Sequence, residues 1–144
     1  MTTSAERRFR CDPTLPSRAR SWVRASLTHA LPAHAAASVV DDAEIVVSEL
    51  ATNALRARST GCAVRWDLDA ALVTLSVFDD ATGWPRPVTA AAEDQHGRGL
   101  HIVAALARRW GVSAERCGKR IWAQLAWRDA EKTPIAAGVL ASGH

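Results

Sequence analysis

A chain of 144 residues supports one hydrophobic core and leaves little room for a second. Hydrophobic residues at 48% and charged residues at 23% exclude the disordered and fibrous classes. No apolar run approaches the roughly 18 residues of a membrane span, and a net charge of +3 comes from arginines scattered along the chain without a basic tract, so neither membrane nor direct nucleic-acid contact is expected.

Residues 1–5 carry no pattern and are expected to be flexible, with one domain over 6–128. Arg7-Arg8-Phe9-Arg10-Cys11 reads as a short edge strand with Phe9 and Cys11 inward. From Arg18 the spacing of Ala19, Trp22, Val23, Leu27 and Leu31 predicts an amphipathic helix ending before Pro32, with Arg18, Arg20 and Arg24 on its other face. An alanine-rich bridge over 33–37 leads into a second helix, capped by Ser38, Asp41 or Asp42 and running to about Ala57. Ser59-Thr60-Gly61 stops it.

Two strands follow, Cys62 to Leu68 and Leu72 to Phe78, joined by a turn at Asp69-Ala70-Ala71. Val73, Leu75 and Val77 alternate with Thr74 and Ser76, the period of a strand covered on one side. Residues 79–97 have no periodicity and read as a loop of binding or lid type. Leu100, Val103, Leu106, Ala107 and Trp110 then fit a third amphipathic helix closed by Gly111. Val112 to Glu115 and Lys119 to Trp127 read as a hairpin whose Ile121, Ala123, Leu125 and Trp127 share a face, and residues 129–144 as a disordered tail. This order predicts an α+β two-layer sandwich, a mixed and mostly antiparallel sheet with three helices on one face. Cys11, Cys62 and Cys117 are odd in number and lack a Cys-x-x-Cys spacing, so reduced thiols are expected in a cytoplasmic protein.

The chemistry centres on Glu49-Leu50-Ala51-Thr52-Asn53-Ala54. Residues four apart share a helix face, so Glu49 and Asn53 point the same way, beside a stripe of Ala43, Val46, Val47, Leu50 and Ala54. That shoulder of the buried face is where a cavity wall lies. An amide oxygen such as that of Asn53, supplemented by phosphate oxygens, suits magnesium, and Glu49 is placed to accept a proton from an attacking hydroxyl or water. Asp79 at a strand end can accept a hydrogen bond from an exocyclic amine. Gly97 and Gly99 open the third helix, where backbone N–H groups and the helix dipole favour phosphate.

Together and in this order, these segments resemble the nucleotide-binding boxes of the GHKL, or histidine-kinase-like, ATPases with the Bergerat fold. The likeness is nearest to the anti-sigma-factor serine/threonine kinase branch and its short actinobacterial members. Glu49 to Ala54 is similar to the family's N box, Val77-Phe78-Asp79-Asp80-Ala81-Thr82-Gly83 to its first glycine box, and Gly97-Arg98-Gly99-Leu100-His101-Ile102-Val103 to its second. The resemblance covers roughly residues 7–128. It implies ATP and Mg2+ as ligands, Glu49 as catalytic base and Asn53 as the magnesium holder. It also implies Asp79 as the adenine-reading residue, with Gly83, Gly97, Arg98, Gly99 and Leu100 completing the nucleotide site.

Two residues depart from the pattern. Ala81 stands where the first glycine box often has Gly, and Arg120 where relatives commonly place a Thr that supports the adenine-binding Asp. An Arg at that position either pairs with Asp79 or Asp80 and obstructs the base pocket, or points outward. The implied function is an anti-sigma-factor kinase that phosphorylates an antagonist protein, with a sigma factor and that antagonist as partners. A non-catalytic ATP-binding or partner-switching module of the same fold is the alternative, and homodimerisation is left open.

Overall fold

The structure, a computed structural model, describes residues 2–35, 37–80, 100–115, 118–128 and 139–141. In chain order the elements are β1 (Thr3–Arg10), α1 (Leu15–Ala30), α2 (Ser38–Arg56), β2 (Gly61–Leu68), β3 (Leu72–Asp79), α3 (residues 100–106), β4 (Arg109–Glu115), β5 (Gly118–Ala126) and β6 (Val139–Ala141). One six-stranded sheet has the order β1-β2-β3-β5-β4-β6. Its pairings are antiparallel except β4 with β6, which is parallel. The expected two-layer α+β sandwich is therefore present.

Alternation builds the sheet's inner face. In β3, Val73, Leu75 and Val77 are buried, and in β5 so are Ile121, Ala123 and Leu125. These join one core cluster with Leu15, Ala19, Val23 and Leu27 of α1, the α2 stripe and Val103 of α3. Each fully buried Leu or Val contributes roughly 1.5–3 kcal/mol of transfer free energy. The β2–β3 hairpin closes as its turn chemistry requires, because the Asp69 carboxylate accepts hydrogen bonds from the N–H groups of Ala71 at 2.9 Å and Leu72 at 2.8 Å.

Several boundaries differ from the sequence reading. β1 begins at Thr3, so residues 3–5 are strand and not a flexible end; they pair with Leu68, Asp67 and Trp66 of β2. Only Phe9 is buried in this outer strand, which is why no alternation marks its first half. α1 starts at Leu15, with Pro16 in its first turn, where a missing N–H costs nothing. The third helix ends at residue 106, and Trp110 and Gly111 belong to β4, where they pair with Ala123 and Trp122. Trp110 is buried by the sheet, so its helical spacing from Val103 was a coincidence of two separate burials. From the stretch read as a tail, Val139–Ala141 forms β6 on the backbone edge of β4.

The arginines of α1 are engaged. Arg24 pairs with Asp41 and Glu44 of α2, and Arg20 donates to Ser48 Oγ at 2.9 Å, so this face fastens the two helices together.

α2 ends on a strained residue. Arg58 has φ 59°, while the N–H of Ala57 reaches Asn53 O and that of Ser59 reaches Ala54 O. A left-handed residue after a helix is usually Gly, since a side chain there costs roughly 1–2 kcal/mol. Arg58→Gly is therefore expected to raise the unfolding free energy by about 1 kcal/mol, read as a higher urea midpoint at unchanged slope.

Candidate functional site

α2 carries the first half of the site. Ala43, Val46, Val47, Leu50 and Ala54 are completely buried, while Glu49 and Asn53 are half-buried one turn apart, as the stripe requires. The helix packs on β3 and β5 and then returns through residues 57–60 to the start of β2. That start lies beside the end of β3, so Asn53, near the carboxyl end of α2, and Asp79 belong to the same end of the fold.

The second half is a row of residues across the sheet. The register aligns Phe9 with Cys62, Cys62 with Asp79, Asp79 with Lys119 and Lys119 with Ala114. This row has the parity of Val77 and Ile121 and faces the helices. The Asp79 side chain is 1% exposed, and its carboxylate lies 3.6 Å from the Lys119 ammonium, itself on a side chain 9% exposed. Asp80, by contrast, is exposed and ties the strand end to the α2–β2 connection through Thr60, whose N–H donates to it at 3.0 Å. The hydrogen bond from the Thr60 hydroxyl holds the Asp80 carboxyl below its usual pKa.

Arg120 points away from this row. Its guanidinium donates to Ser76 Oγ at 2.9 Å and 3.2 Å and lies over the rings of Phe78 and Trp122, all on the opposite face. Burial pushes its pKa down, but the hydrogen bonds give it partners. The inward row is thus clear of Arg120, and the residue of β5 opposite Asp79 is Lys119. The period-2 pattern contained this signal: stepping back from Leu125, Ala123 and Ile121 reaches Lys119 on the inward side.

Gly118 was missed as well. A Cβ there would meet Asp79 O at 1.8 Å, so the absence of a side chain lets β5 start directly against the Asp79 backbone. Cys62, neighbour of Asp79 in the row, is a buried free thiol, and burial pushes its pKa up to about 12. Such a thiol stays protonated and packs as a small apolar group.

Leu100 is half-buried against the core, and His101 is exposed. Gly83, Gly97, Arg98 and Gly99, with Ala81, lie outside the described residues. A hollow of about 240 Å³ at this end is lined by Asp79, Asp80, Gly118 and Lys119, and by Ala63 and Phe78 of the other face. It is smaller than the roughly 300–1,000 Å³ of sites enclosing drug-sized ligands, and with Arg8 and Glu115 also in its lining it lies mainly on the sheet face turned away from the helices. Among the described residues no group of three or more His, Cys, Asp or Glu side chains could hold a metal.

Residues 9–125, from the inward Phe9 of β1 to Leu125 of β5, match the histidine kinase-like ATPase domain family. With the sandwich, the half-buried Glu49/Asn53 pair and the buried Asp79 in place, the chain belongs to that family. Membership supports an ATP-binding regulatory function. A comparison with curated proteins returns no match. No helix among the described residues is long and apolar enough to cross a membrane.

Proposed function

We propose that the protein is an ATP-dependent serine/threonine kinase of the anti-sigma-factor type, which phosphorylates an antagonist protein and holds a sigma factor when that antagonist is absent. The observation that carries the reading is the placement of Glu49 one turn from Asn53 on the rim of the α2 core stripe, at the sheet end where Asp79 is buried. A carboxylate on such a rim is reachable by substrate yet shielded from bulk water, the setting in which a base acts on a bound hydroxyl.

In this reading Glu49 takes the proton of the attacking serine or threonine hydroxyl, and Asp79 accepts a hydrogen bond from the adenine amine. Asn53 would hold magnesium through its amide oxygen, and the ion would supply charge neutralisation at the phosphates. The donor set fits: one neutral amide oxygen leaves the remaining positions to phosphate oxygens and water, the coordination that Mg2+ favours. Gly97, Arg98 and Gly99 are assigned to the phosphates, Gly83 and Leu100 to the walls of the site.

The test is transfer of labelled phosphate from ATP with Mg2+ to candidate antagonist proteins. Glu49→Ala and Asn53→Ala are expected to abolish transfer, with thermal melting within a few degrees of wild type, since both side chains are half-buried and outside the core cluster. A wild type that binds ATP and transfers phosphate to no candidate points instead to a non-catalytic partner-switching module.

A further inference from the structure

We propose that Lys119 is a second base-reading residue, whose ammonium donates a hydrogen bond to ring nitrogen N1 of adenine while Asp79 accepts one from the neighbouring exocyclic amine. The assignment rests on the ATP-binding reading of the site. Its basis is geometric. Lys119 and Asp79 face each other across the β3–β5 ladder, on the sheet face against which α2 packs. Both residues are buried, at the end of the sheet where β3 stops and β5 starts.

The ammonium stands 3.6 Å from the carboxylate, which is within ion-pair range but longer than a hydrogen bond of about 2.7–3.2 Å. Lys119 makes no hydrogen bond among the described residues. An ammonium has three donors, so donor capacity remains beside the carboxylate. The pair therefore offers an acceptor and a charged donor side by side. Adenine presents the complementary couple on one edge, an amine donor at N6 next to an unprotonated acceptor at N1. A base with N–H at position 1, such as hypoxanthine, would turn a donor toward a donor and leave a buried polar group unsatisfied.

Calorimetric titration of the full chain with ATP and with 1-deaza-ATP, in which a C–H replaces N1 and the amine is kept, tests the assignment. The wild type is expected to bind the analogue about 10- to 100-fold more weakly than ATP, the effect of losing one charge-assisted hydrogen bond. Lys119→Met is expected to bind the two ligands within about threefold of each other, because the group that tells them apart is gone. Should that variant fail to fold, the wild-type comparison still decides. Equal wild-type affinities for ATP and the analogue overturn the role of Lys119 and leave nucleotide binding standing. Absence of ATP binding by the wild type overturns the nucleotide reading and this assignment together.

Discussion

Gly118→Ala is expected to destabilise the domain by about 3 kcal/mol or more and to weaken ATP binding in whatever fraction still folds. The new Cβ would lie 1.8 Å from Asp79 O, 2.8 Å from Asp79 C and 3.0 Å from Asp80 Cα. All three are backbone atoms, so no rotamer change can relieve the overlap; the start of β5 or the end of β3 has to move. The glycine's φ of +156° adds a conformation that side chains rarely adopt. Separating the strands here undoes the Asp79–Lys119 step of the ladder and shifts the carboxylate assigned to the base. Urea unfolding measures the first effect and ATP titration the second. A loss below about 1 kcal/mol would mean that β5 does not begin against the Asp79 backbone.

Much of this architecture was legible because its signals were periodic. The stripe from Ala43 to Ala54 placed Glu49 and Asn53 on the helix shoulder, and the alternation in β3 and β5 fixed which side chains face the helices. What was missed lay where a second requirement overrode the pattern. The edge strand expected from Arg7 begins at Thr3 because the backbone of β2 is there to pair with, and its Thr3-to-Glu6 half carries no burial signal. Trp110 kept helical spacing from Val103 while belonging to the sheet. Lys119 is the instructive residue: its charge suggests a surface position, yet its parity with Ile121 puts it inside, where it remains because Asp79 is opposite. Arg120, one residue on, has the same charge sign and the opposite direction.

Asp79→Ala is expected to cost about 3–5 kcal/mol, an effect that a search for nucleotide contacts alone would not anticipate. Two charges on side chains 1% and 9% exposed are tolerable together, and removing the carboxylate strands the Lys119 ammonium in a site with little water. The loss therefore measures an orphaned charge more than the strength of the pair. Asp79→Ala/Lys119→Met separates the two, because apolar replacement of both partners of a buried pair is often neutral or better. The double variant is expected to recover at least half of the lost unfolding free energy and still to bind ATP much more weakly than wild type, since both groups assigned to the base are absent. Urea midpoints of the wild type, both single variants and the double variant complete the cycle. A double variant no more stable than Asp79→Ala would place the Lys119 ammonium in solvent, and a double variant with wild-type ATP affinity would remove Asp79 from the nucleotide site.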